Sequence, residues 1–139
     1  MPYDDSEYEI RFLAAQAVTS TGDKGTYHTG TVPHMVRRIA CIVTTATTAS
    51  DPTTVSYDKR VLVGSDTGRV TAGIGTIIIP GGTAAGTVVY KDVSVLVNPG
   101  DEIVMNVTDA STAGAVTTCM LVEMMGLTPA TLTKMLASA

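Results

Sequence analysis

The sequence predicts an all-β fold, an antiparallel sandwich or barrel built from about eight short strands. Three observations carry that reading. Apolar residues alternate with period two on both sides of residues 98–101, the spacing of strands with one face buried. Clusters of Gly, Pro, Asp and Ser cut the alternation into short runs. The composition is rich in Thr, Val, Ala and Gly and holds no Trp. Thr and Val suit pleated surfaces, and Gly suits the turns between them.

The clearest design is VSVLVNPGDEIVMNVT, residues 93–108. Val93, Val95 and Val97 alternate before Asn98-Pro99-Gly100-Asp101, and Ile103, Met105 and Val107 alternate after it. Pro99 presets φ at the first corner of a turn, Gly100 accepts positive φ at the second, and Asp101 can hydrogen-bond nearby backbone. The stretch predicts two strands reversing at a tight turn, with both apolar faces on one core.

The other elements follow in chain order. Residues 1–8 are acidic and polar apart from Tyr3 and Tyr8, and predict a mobile arm or one that docks on a neighbour. Residues 9–19 predict a first strand with Ile10, Phe12 and Ala14 on one face and Glu9, Arg11 and Leu13 on the other; a helix competes, because FLAAQA has high helix propensity. TSTGDKGTYHTG, with Gly22, Gly25 and Gly30, reads as turn material. Residues 35–45 predict a strand with apolar groups on both faces, central or covered by a partner. ATTASDPTT is a loop, since Pro52 cannot sit in a central strand.

Strands are predicted over 55–63, 70–79 and 86–97, with GSDTGR as a loop between the first two and Pro80-Gly81-Gly82 ending the second. DASTAGA, from Asp109, is the next turn, and 116–125 is the last strand. Met120, Val122 and Met124 share one of its faces, while Cys119, Leu121 and Met125 share the other with Glu123. In the tail, LTPATLTKMLASA, Thr128 is a possible N-cap, Pro129 stands at the first helical position, and Leu132, Met135 and Leu136 have helical spacing. A helix this short is unstable alone and must pack on its own domain or a neighbour. The domain reading is an arm over 1–8, a β-sandwich over 9–126 and a helical tail over 127–139.

The composition narrows the function. At 139 residues the chain makes one domain, burying roughly two-thirds of its unfolded surface. Charged residues are 16% of it, against about 25% in a typical soluble domain. Mean hydropathy is +0.27, so some apolar surface should lie between subunits. Net charge is −4 and no basic cluster exceeds Arg37-Arg38, which argues against nucleic acid as a partner. The most apolar window, 76–90, is broken by Pro80, Gly81, Gly82 and Gly86, too short a run for a membrane helix. MPYDDSEYEI has no basic or apolar leader region, so synthesis in a cytoplasm as a soluble protein is expected.

The chemistry of catalysis is missing. His28 and His34 are read as surface loop histidines, with no Glu or Cys at ligand spacing, and no nucleophile–base motif or phosphate loop occurs. No catalytic residue, metal or cofactor is expected. Asp101, Glu102 and Asp109 at strand ends read as turn caps rather than calcium ligands, and Asp58 and Asp66 as solvated positions. Cys41 and Cys119 read as buried small apolar residues, with a disulfide as the alternative. Asn106-Val107-Thr108 matches a glycosylation pattern but lies inside a predicted strand. Met120, Met124, Met125 and Met135 fill a core or make an inter-subunit contact.

One stretch resembles a known family. GTVVYKDVSVLVNPGDEIVMNVTDASTAGAVTTCMLVEM, residues 86–124, is similar to the C-terminal half of the small virion proteins that decorate or cement the capsids of tailed phages. The matching features are a strand, an N-P-G-D turn, a strand, the loop D-A-S-T-A-G and a final strand. The resemblance implies a jelly-roll-like antiparallel β-sandwich and a non-enzymatic homotrimer on the capsid exterior that stabilises the major capsid protein shell. The expected interface residues are Tyr3, Tyr8, Met120, Met124, Met125, Leu132, Met135 and Leu136. A carbohydrate- or receptor-binding sandwich on a virion or cell surface is the competing function. It would need exposed aromatics, for which Tyr27, Tyr57 and Tyr90 are the candidates.

Overall fold

The computed structural model of the chain describes residues 7–28, 33–62 and 69–124. The arm before Glu7, Met125 and the whole of the expected C-terminal helix lie outside those residues. The described residues form nine strands and no helix: β1 (Glu7–Phe12), β2 (Gln16–Ala17), β3 (Gly22–His28), β4 (His34–Thr45), β5 (Thr53–Leu62), β6 (Arg69–Ile79), β7 (Val88–Val97), β8 (Glu102–Asp109) and β9 (Ala115–Met124). They make two sheets in which every pairing is antiparallel. The first runs β1-β9-β4-β7, with β2 also on β9; the second runs β3-β8-β5-β6. The fold is an all-β sandwich, as the alternation predicts.

The core lies between the sheets. Val36, Ile39, Cys41, Val43, Val97, Val116, Met120 and Val122 reach it from the first sheet; Val55, Tyr57, Ile74, Ile77, Ile79, Ile103, Met105 and Val107 reach it from the second. Alternate side chains point to opposite faces, so the core residues of each strand are an even number of residues apart except across the register shifts of β4 (Val36 to Ile39) and β6 (Ile74 to Ile77). The reversal at 98–101 is the predicted one. Gly100 has φ 88°, the Asp101 N–H donates to the Asn98 carbonyl at 3.1 Å, and the Asn98 N–H donates to Asp101 Oδ2 at 3.0 Å. The turn joins different sheets: β7 pairs with β4, whereas β8 pairs with β3 and β5. Both apolar faces still meet in one core.

Two expectations are corrected here. TSTGDKGTYH was expected as a turn, yet Gly22–His28 is a strand paired to β8. Gly25 misdirects the reading for a packing reason. A Cβ on Gly25 would come within 3.1 Å of Leu13 Cδ1, so glycine there admits a neighbouring side chain. The expected strand over 9–19 is broken after Phe12, and its apolar pair faces outward. Arg11 stands opposite Met120 and so points in, while Ile10 and Phe12 stand opposite Leu121 and Cys119 and point out. Leu13 supplies the apolar contact with the core.

Candidate interaction surface

The outer face of the first sheet carries apolar residues on all four strands, on either side of a polar belt. Register aligns it in rows: Tyr8, Glu123, Met35 and Leu96; Ile10, Leu121, Arg38 and Asp92; Phe12, Cys119, Ala40 and Tyr90; then Thr117, Ile42 and Val88. Its rim strands hold most of the large exposed apolar groups: Tyr8, Ile10 and Phe12 are 58%, 59% and 59% exposed on β1, and Val88, Tyr90 and Leu96 are exposed on β7. These exposed apolar groups on both rims of one sheet face make it the candidate contact surface.

A polar belt crosses the middle of that face, and a β-bulge creates it. The register of β4 slips between Val36 and Arg38 against both neighbours, so Arg37 and Arg38 both turn outward. Arg37 donates through Nε to Glu123 Oε2 at 2.7 Å and through Nη1 to Ser94 Oγ at 3.0 Å. Arg38 donates through Nε to Asp92 Oδ1 at 2.5 Å and stacks on Tyr90, 4.1 Å from the ring centroid. The Arg38 guanidinium holds the Asp92 carboxyl below the usual carboxylate range. Each arginine of the belt thus has a carboxylate partner on the same face.

The outer face of the second sheet is different. Asp23, Thr26, Ser56, Asp58, Arg60, Glu102 and Asn106 lie on it. Arg60, opposite Glu102, reaches diagonally past Val104 to Asp23, opposite Asn106, and the Nη2–Oδ2 distance is 2.5 Å. Asn106 Nδ2 donates to the same carboxylate at 2.6 Å. The Arg60 hydrogen bond is the main cause that lowers the Asp23 pKa. Val104 is fully buried on this face, and Ile78 of β6, opposite Thr54, is its large exposed apolar group.

The expected interface residues divide between the faces. Tyr8 is on the apolar outer face. Met120 is in the core and Met124 shares its inward face, opposite His34, so the methionines of β9 do not reach the outer surface; Cys119 and Leu121 do. Tyr3, Met125, Leu132, Met135 and Leu136 lie outside the described residues. Asn98, Pro99, Gly100 and Asp101 form the expected turn. Among the tyrosines considered for sugar stacking, Tyr57 is in the core and Tyr90 lies under Arg38. Among the described residues no three His, Cys, Asp or Glu side chains converge as metal ligands would.

His34 corrects its loop assignment: it begins β4 and is buried. Neither ring nitrogen has a hydrogen-bond partner, and Tyr27 meets the ring edge-on at 6.2 Å between centroids. Burial lowers the His34 pKa, the Arg11 charge lowers it further, and Glu9 opposes both. The folded state therefore binds this proton less readily than the unfolded chain, where the value is 6.5. Stability is lost as pH falls below the unfolded value toward the lower folded one. Urea midpoints are expected to fall between pH 7 and pH 5.5, and to fall less in His34→Phe. Equal slopes in the two proteins would remove His34 from the account.

The cysteines occupy opposite faces of one sheet. Cys41 is in the core, and its neighbour in the β4–β9 pairing is Thr118; Cys119 stands opposite Ala40 on the outer face. Their side chains point apart, so the alternative of a Cys41–Cys119 disulfide is excluded in this fold. Burial pushes the Cys41 thiol up to about 12 and raises that of half-buried Cys119 as well. Maleimide at pH 7.5 is expected to leave Cys41 unmodified in folded protein and to modify it in denaturant. Labelling of Cys41 at the same rate in both would contradict its burial.

Comparison of the sequence with known family models and with curated proteins finds no match.

Proposed function

We propose that the chain is a non-enzymatic structural component of a virion, a decoration or cement protein that binds the outside of a tailed-phage capsid shell and stabilises it. The single observation that carries this reading is the difference between the two outer faces: one apolar across four strands, the other polar. A small domain with a face of that kind works by being covered. Two further points support it. The resemblance of residues 86–124 to capsid decoration proteins covers β7, the turn, β8 and β9. The strand order also suits a jelly roll: with β1 and β2 taken as one interrupted strand, eight strands divide as β1-β9-β4-β7 and β3-β8-β5-β6.

In this reading the partner is the major capsid protein and the site is the virion exterior, after synthesis in the host cytoplasm. The protein acts as a homo-oligomer, with three the number that the resemblance implies. The position of Tyr57 in the core weighs for this function over a carbohydrate-binding one. The test uses virions of the phage that carries the gene, with and without it. Purified chain is expected to co-sediment with the depleted capsids and to raise the temperature at which they release DNA. Depleted capsids that neither bind the chain nor differ in heat release would overturn the reading.

A further inference from the structure

We infer that the outer face of the first sheet is covered by the same face of a second copy of this chain, sheet on sheet. The inference rests on the oligomeric part of the function proposed above: the face that marks this chain as one made to be covered is covered by its own copy, and contact with the capsid falls to the rest of the surface. Three observations favour a second copy. First, the face is electrically self-contained. Arg37 is paired to Glu123 and Arg38 to Asp92 within it, so it offers no unbalanced charge to an oppositely charged protein and none to repel its own copy. The whole chain carries −4, and copies meet most readily where that charge is absent.

Second, the area is adequate. Strands lie about 4.8 Å apart and residues rise about 3.3 Å along them. The rows from Met35 to Ile42 on four strands therefore span roughly 19 by 26 Å, roughly 500 Å² per copy. Two copies bury roughly 1,000 Å², where specific interfaces begin. Third, only one outer face is apolar, so pairing closes the assembly. A twofold contact uses the same patch on both copies and leaves the two polar faces outward, with no surface for further stacking. Packed sheets in this arrangement sit about 10 Å apart, which Tyr8, Ile10, Phe12, Val88, Tyr90 and Leu96 can fill. The assembly then holds an even number of copies, two or, where trimers pair through this face, six.

The experiment is mass by light scattering at micromolar concentration on the full chain, on Ile10→Glu and Val88→Glu, and on Ile78→Glu as control. Ile78 is exposed on the second sheet. Far-UV circular dichroism and melting confirm that each variant is folded, and surface positions on edge strands are chosen so that it is. Wild type and Ile78→Glu are expected at an even multiple of 14.4 kDa, and the two face variants at half the wild-type mass. A wild-type monomer overturns the inference; if capsid binding is then lost in Ile10→Glu, the face belongs to the capsid protein instead. An odd multiple, or an assembly that the face variants leave intact, also overturns it. Failure to bind capsids alongside an even-numbered assembly broken by Ile10→Glu would sink the virion reading and keep this one.

Discussion

Tyr57→Ala is expected to lower the free energy of unfolding by about 3–5 kcal/mol, the range for removing a fully buried aromatic ring. Tyr57 rises from β5 in the second sheet and is 1% exposed. Its hydroxyl crosses the core and donates to the Ala40 carbonyl of β4 at 2.6 Å, while Cys41 Sγ lies 3.7 Å from the same oxygen. With its proton given to Ala40, the tyrosine oxygen accepts from the Cys41 thiol. Burial raises the Tyr57 pKa, so the phenol is a neutral donor at every pH of interest. The residue combines a large apolar area with a satisfied polar end, as a buried tyrosine must. Tyr57→Phe keeps the ring and loses the hydroxyl, and is expected to cost only about 0.5–1.5 kcal/mol. Urea unfolding at one fixed protein concentration measures both, because self-association would otherwise shift the midpoints. Equal losses in the two variants would mean that the hydroxyl bond, and not the ring, joins the sheets here.

The elements legible in the sequence are those whose two faces differ. In β7, β8 and the turn between them, apolar and polar positions alternate beside an N-P-G-D signal, and both strands and turn are where the pattern puts them. Pro52 and Pro80-Gly81-Gly82 bracket β5 and β6 in the same way. The strand Gly22–His28 is hidden in part because Gly25 serves packing against Leu13 rather than a turn. Edge strand β1 has apolar residues on the solvent side, and only its register with β9 reveals that Arg11 faces in.

The outer apolar face is half legible for a related reason. Apolar residues on both faces of the runs at 35–45 and 116–125 signal central strands, and β4 and β9 are the central strands of the first sheet. When both faces are apolar, however, periodicity cannot say which one is inward. That choice assigned Met120 and Met124 to the interface, whereas long-range pairing puts Met120 in the core and turns Cys119 and Leu121 out. The bulge at Arg37 is likewise invisible to a period-two reading, since it shifts register by one residue and brings two arginines to the same side.

A close approach between the sheets supplies the second large effect. Ile39 of β4 is fully buried, and Ile39→Ala is expected to cost about 2–5 kcal/mol through lost burial and the cavity left behind. Across the core from it stands Gly75 of β6, beside the register shift at Tyr57/Asp58. A Cβ at position 75 would lie 2.9 Å from Ile39 Cδ1 and 3.2 Å from Val93 Cγ1. Glycine in a strand interior costs about 0.5–1 kcal/mol relative to alanine, so its presence here reflects space claimed by Ile39. Gly75→Ala in the natural protein sets that backbone gain against a contact tighter than real Cβ atoms make, relieved only if the end of Ile39 moves. In the Ile39→Ala background the Ile39 contact is gone and a cavity lies beside the new methyl group, into which it can shift from Val93 Cγ1, 3.2 Å away. Gly75→Ala is therefore expected to restore about 0.5–1.5 kcal/mol there, combining the backbone term with partial filling of the cavity. The two substitutions should couple rather than add, as neighbours across a shared space do. A double-mutant cycle in urea measures that coupling, and additive free energies would mean that the sheets separate freely at this point instead of being set by the size of Ile39.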